Sequence, residues 1–128
     1  MPNKKILAAD DDNDVLVMLY DYFQSRSFDV IVAHNGMEAV NLAKHSKPDV
    51  ILLDLMMPVM DGYAACDLLK RDKATKDIPI IVLTAKDISK GPNTVINADF
   101  VILKPYNLDS ILEKVKISLM KTRPDPDK

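Results

Sequence analysis

A single cysteine, Cys66, rules out an intrachain disulfide and makes a reducing compartment the simplest setting. Cys66 falls within a helical apolar pattern and reads as a packed thiol. No apolar stretch approaches the roughly 20 residues that a membrane span needs. The N-terminus has a basic start at Lys4-Lys5, but the apolar run Ile6-Leu7-Ala8-Ala9 is far too short for a signal peptide. Neither sign of charge dominates: 17 basic and 19 acidic residues leave a net charge of -2, with no global reason to expect nucleic-acid binding. No internal repeat is visible. These absences point to a cytoplasmic protein with no membrane and no nucleic-acid partner.

What is present fits one globular domain. Hydrophobic residues make up 48% and charged residues 28% of 128, enough to build a core at this length. The run Val50-Ile51-Leu52-Leu53 ends abruptly at Asp54, with Pro58 four residues later. A continuous apolar run of that length fits a strand buried on both faces, as in a parallel sheet. Ile6 to Ala9 reads as strand one, stopped by Asp10-Asp11-Asp12. Phe28 to Ala33 reads as strand two, Ile80 to Leu83 as strand four and Phe100 to Leu103 as strand five.

Helical stripes lie between the strands. Val15, Leu16, Leu19, Tyr22 and Phe23 share a face, with Asp12 or Asn13 able to cap the start. Asn35-Gly36 reads as a turn, followed by a helix through Met37, Val40 and Ala43. Ala65, Cys66, Leu68 and Leu69 mark a third helix after the Asp61-Gly62 turn. The segment from Ala85 to Ala98 contains Gly91-Pro92, so any helix there is short, near Asn93 to Asn97. The last helix has the clearest period: Leu108, Ile111, Leu112, Val115 and Leu119, with Ile117 and Met120 off that stripe. Alternation of strand and helix predicts a doubly wound α/β fold, a five-stranded parallel sheet with helices on both faces. The expected domain spans residues 1–121, with no output domain attached, and 122–128 form a polar tail.

In such a sheet the carboxyl ends of the strands share one edge, where α/β folds keep their binding sites. Strand one ends at Asp10-Asp11, strand three at Asp54, strand four at Thr84 and strand five at Lys104. Each has a plain explanation as a cap, a loop carboxylate or a surface lysine. Their convergence on one crevice is harder to explain that way. Two carboxylates about 5 Å apart repel by roughly 3 kcal/mol at an effective dielectric near 20. A hard divalent cation such as Mg²⁺ resolves that repulsion through oxygen ligands. Added phosphoryl charge on Asp54 could then be shared by the cation, Lys104 and the Thr84 hydroxyl. Neither His34 nor His45 is needed, and both are expected to face solvent.

With these residues in order, the chain resembles a receiver domain of the two-component response regulators, the CheY-like family. The matching pieces are Ile6 to Asp12, Pro48 to Asp54, Met57 to Gly62, Ile78 to Ala85 and Leu103-Lys104-Pro105. The resemblance implies a flavodoxin-like strand order of 2-1-3-4-5, with helix four short or irregular here. It implies that Asp54 accepts phosphate from the phosphohistidine of a sensor histidine kinase or phosphotransfer protein. Asp10, Asp11, Asp54 and the Met56 carbonyl would hold Mg²⁺. Lys104 and Thr84 would contact the phosphoryl group, beside small Ala85, and Lys104–Pro105 is a candidate cis peptide. Met56 and Lys86 would influence how fast the phosphoryl group is lost.

Two departures from the family bear on signalling. Val101 stands where an aromatic switch residue is usual, and the Thr84-to-Lys104 stretch is about two residues short. The expected function is a phosphorylation-controlled module that slowly removes its own phosphate and alters affinity for a downstream protein, with a phosphorylation-dependent homodimer as a further option. The expectation is a self-phosphorylating and self-dephosphorylating receiver rather than a turnover enzyme. The alternatives are a degenerate receiver working without phosphate and an aspartyl-nucleophile phosphatase. Met56 argues against the latter, because a general-acid carboxylate two residues after the nucleophile is missing.

Overall fold

The computed structural model describes residues 3–85, 98–104 and 107–120. Its strands are β1 (Lys5–Ala9), β2 (Asp29–Ala33), β3 (Val50–Asp54), β4 (Ile80–Thr84) and β5 (Phe100–Leu103). All four pairings are parallel, and the sheet order is β2-β1-β3-β4-β5. The described helices are α1 (Asn13–Gln24), α2 (Gly36–Ser46), α3 (Gly62–Arg71) and α4 (Leu108–Met120). The short helix expected within 86–97 lies outside the described residues, as do Lys86, Pro105 and the 122–128 tail. No helix among the described residues is long and apolar enough to cross a membrane.

Strand alternation splits the core into two apolar layers. Ile51, Leu53, Ile80 and Val82 face α2 and α3, packing with Ala39, Val40, Ala43, Ala65 and Leu69. Val50, Leu52, Ile81 and Leu83 face α1 and α4, packing with Leu16, Leu19, Phe23, Ile111 and Val115. Every residue of β3 and β4 is buried, as central parallel strands require. The edge strand β5 instead alternates between half-buried and exposed. Burying each large aliphatic side chain contributes about 1.5–3 kcal/mol. The central strands are therefore the rigid frame that carries the carboxylate at their end.

Each of the first three helices starts on a side-chain cap. The carboxylate of Asp12 accepts from Asp14 N, the Asn35 amide oxygen from Glu38 N, and the Asp61 carboxylate from Ala64 N, all within 2.9 Å. Such caps contribute about 1 kcal/mol each. Asn35-Gly36 is thus the cap and first residue of α2 rather than a free turn. Two apolar residues assigned to helical stripes are also more exposed than the pattern implies. Met37 is 45% and Leu68 42% exposed.

Candidate functional site

The carboxyl edge of the sheet gathers the polar strand ends. Asp54 is the last residue of β3 and is only 5% exposed. Asp10 follows β1 directly and is buried, its backbone N–H donating to Ala33 O at 3.1 Å and its carboxylate accepting from Asp12 N at 2.9 Å. Asp11 is exposed at the rim. One carboxylate oxygen from each of Asp10, Asp11 and Asp54 lies within 4.8 Å of the others. Lys104 comes over this group from the end of β5, its Nζ 3.4 Å from Asp10 Oδ2. Its backbone N–H donates to Thr84 O at 2.7 Å, which ties the ends of β4 and β5 together. Thr84 is fully buried and Ala85 exposed.

Burial, followed by the nearby Asp10 carboxylate, pushes the Asp54 carboxyl up to about 6; Lys104 and the Met56 N–H, 3.4 Å from Asp54 Oδ1, oppose that rise. Burial outweighs them because a carboxylate loses its hydration at the strand end while only part of the compensating charge is in contact. Three acidic oxygens so close together suit a hard divalent cation with oxygen ligands.

The segment between β3 and α3 forms the floor of the site. A cavity of about 420 Å³ opens here, lined by Asp11, Leu55, Met56, Met57, Asp61 and Tyr63. Met56 is 61% exposed, leaving this side of the cleft open. Gly62, at the start of α3, fits directly beneath Asp54: a Cβ there would lie 2.3 Å from the Asp54 carbonyl oxygen. Its N–H donates to Leu55 O at 3.0 Å. Val59 has φ 67, and Met60 N donates across it to Pro58 O at 2.7 Å, a three-residue turn of the strained class. For a β-branched residue that conformation costs on the order of 1–3 kcal/mol.

Asp10, Asp11, Asp54 and Lys104 are thus brought together, with Thr84 at the end of the adjoining strand. Val101 is 41% exposed. Phe100 lies on the opposite face, with the Lys114 ammonium 5.2 Å from its ring centroid. His34 and His45 are exposed; His34 pairs with Glu38, and His45 Nδ1 lies 2.8 Å from the Asn41 carbonyl oxygen. Sequence spacing does not reveal the contact between Gly36 and the loop, where Gly36 N donates to Met60 O at 2.8 Å. A glycine immediately after an N-cap residue was the available signal, since a helix interior otherwise disfavours it.

The family model "response regulator receiver domain" matches residues 6–116. PhoP of Bacillus subtilis, an alkaline phosphatase synthesis transcriptional regulatory protein, is 36% identical over 122 residues, covering 94% of this chain and 50% of its own length. The response regulator MprA of Mycobacterium avium is 34% identical over 125 residues, covering 96% and 54%. The chain therefore spans about half the length of these curated relatives. Among solved structures, the response regulator TrrA of Thermotoga maritima has a TM-score of 0.81 and 31% identity, covering 91% of this chain and 99% of that one. The chain belongs to the response regulator receiver domains of two-component signalling.

Proposed function

We propose that Asp54 is the phosphoacceptor of this receiver, loaded from a phosphohistidine of a sensor histidine kinase or phosphotransfer protein. The observation that carries the reading is the meeting of the Asp10, Asp11 and Asp54 carboxylates within 4.8 Å, under the Lys104 ammonium. An Asp54 oxygen attacks phosphorus in line, the P–N bond breaks, and the imidazole leaves with the electron pair and takes up a proton. The product is an acyl phosphate on Asp54. Attack requires the ionised carboxylate, which with a pKa of about 6 predominates at neutral pH even without a metal.

Asp10, Asp11, Asp54 and the Met56 carbonyl would hold Mg²⁺. When bound, the ion supplies charge neutralisation for the carboxylates and the incoming phosphoryl oxygens. TrrA was solved in complex with Mg²⁺–BeF, which supports divalent-cation binding by this chain. Lys104, whose Nζ lies 3.4 Å from Asp10 Oδ2, adds positive charge beside the carboxylates, and the Thr84 hydroxyl donates a hydrogen bond to the phosphoryl group. Positioning and charge neutralisation supply the rate, with no general acid required. Hydrolysis by water at phosphorus returns the carboxylate and inorganic phosphate. The exposed Met56 side chain leaves this side of the site open to that water. The loaded state changes affinity for a downstream protein in the cytoplasm.

Incubation with Mg²⁺ and a small acyl phosphate donor is expected to add the mass of one phosphoryl group. Asp54→Asn should show no adduct, and chelation of Mg²⁺ should slow loading at least ~100-fold. A wild-type protein that never acquires the adduct would make it a phosphate-independent interaction module. Rapid multiple turnover of diverse phosphate esters would make it a hydrolase.

A further inference from the structure

The loop beneath Asp54 is held by backbone contacts, and one of them comes from an element outside the site. Residues 55–61 contain the strained Val59, at φ 67. On the α3 side, Gly62 N donates to Leu55 O at 3.0 Å. On the α2 side, Gly36 N donates to Met60 O at 2.8 Å. The approach at Gly36 is so close that a Cβ would lie 2.2 Å from that same Met60 oxygen and 3.0 Å from the Asp61 oxygen. Gly36 does not have positive φ, so this glycine serves contact rather than conformation. A strained backbone persists only where its surroundings over-determine it. Met60 accepts from Gly36 through its carbonyl and closes the Val59 turn through its own N–H, so the two features share one residue.

We infer that Gly36 is a positioning residue for the phosphoacceptor site: its amide clamps Met60, balances the strain at Val59 and so fixes the loop that carries Met56 next to Asp54. The inference rests on the reading of Asp10, Asp11 and Asp54 as a cation site. It makes the first turn of α2 a coupled part of that site, although no α2 side chain belongs to the carboxylate cluster. Coupling is reciprocal. If the clamp favours the loop geometry that binds Mg²⁺, then Mg²⁺ strengthens the clamp. The outer wall of the same loop extends the effect to the surface. The Val59 side chain borders a separate cavity of about 420 Å³ against α2, shared with Met37, Glu38, Asn41 and His45. A change in the loop therefore alters the shape of an exposed α2 surface.

Native-state hydrogen exchange on the wild-type protein tests this without any variant. On Mg²⁺ addition the Gly36 amide is expected to slow at least ~5-fold more than the Lys47 amide, the lower end of ordinary coupling. Lys47 is the internal reference because its N–H donates to Ala43 O at the other end of the same helix. Equal slowing at the two amides would reflect global stabilisation alone and overturn the inference. No response to Mg²⁺ at any amide would remove the cation reading, and the inference with it. As a second arm, Gly36→Ala is expected to weaken Mg²⁺ binding at least ~5-fold by calorimetry. Adding Val59→Gly, which relaxes the turn, should recover most of that loss. An unchanged dissociation constant in folded Gly36→Ala contradicts the proposal. If that variant does not fold, the exchange comparison alone decides.

Discussion

Gly62→Ala is expected to destabilise the protein by about 3 kcal/mol, at the severe end of single substitutions. In an open helix the same change stabilises by roughly 1 kcal/mol, because alanine has the higher helix propensity. Here the sign reverses. The added Cβ would lie 2.3 Å from the Asp54 carbonyl oxygen, 2.6 Å from Leu55 Cα and 3.0 Å from the Asp54 carbonyl carbon. All three atoms are backbone, so no side-chain rotation relieves the clash. Either α3 withdraws from β3 or the end of β3 moves, and the second displaces Asp54 itself. For a chain of this size the loss corresponds to a fall in Tm of roughly 10–15 °C. Thermal or urea unfolding measures it directly. A Tm at or above that of the wild type would show that the close approach of Gly62 to Asp54 does not hold in solution.

The second large effect concerns charge. The folded-state pKa of Asp54 is raised from the ordinary 3.8 to about 6, chiefly by burial. Between those values the native protein holds a proton that the unfolded chain has lost, so stability falls as pH rises through the window and levels off above it. About two units at about 1.4 kcal/mol each sets an upper bound near 3 kcal/mol. The cleft opens to solvent beside Met56, so about 1–2 kcal/mol is expected. Asp54→Asn removes the ionisation. Without divalent cation it should therefore be more stable than wild type by about 1–2 kcal/mol at pH 7.5, and equal to it near pH 4. Saturating Mg²⁺ should raise the wild-type Tm by several degrees, and Asp11→Ala should lose most of that gain. Paired melting curves at the two pH values, with and without Mg²⁺, check all of this. A Tm of Asp54→Asn below wild type at pH 7.5 without metal would mean the carboxylate is stabilised in its cleft rather than strained there.

The legible part of the molecule was what period and run length encode. β3 and β4 are wholly buried, so their apolar runs announced both the strands and their abrupt polar ends. Asp10, Asp54 and Lys104 could then be brought to one edge by topology alone, and their side chains do meet there. The Asp12 cap and the stripe of Leu16, Leu19 and Phe23 followed from local chemistry. Less legible were residues whose role depends on a neighbour distant in sequence. Gly36 looked like half of a turn, and only the fold brings it to Met60. Leu68 and Met37 satisfied an apolar pattern yet are exposed, because the width of a buried stripe is set by the element packed on it. Val59 carried no sequence signal of strain, since a valine after proline is ordinary in extended chain. The link from Asp99, whose carboxylate takes both the Ile80 amide (2.8 Å) and the Lys70 ammonium (3.3 Å), was equally invisible. It joins three elements across the opposite edge of the sheet.

Val101 bears on how the proposed phosphoacceptor site would pass on its state. At 41% exposed it is a small aliphatic side chain on the outer face of β5, with Phe100 committed to the α1 and α4 side. A valine has neither the ring nor the reach to report a change at Thr84 by rotating inward. A backbone route through the loop and α2 needs no such side chain.

In the proposed reaction phosphorus becomes bonded to the carboxylate of Asp54. Borohydride reduction of the loaded protein, followed by peptide mass spectrometry, tests it most directly, because an acyl phosphate is reduced to an alcohol while a free carboxylate is untouched. Homoserine is expected at position 54, formed only after treatment with donor and Mg²⁺. Homoserine at another aspartate, or a phosphate adduct that survives unreduced on a different side chain, would contradict it.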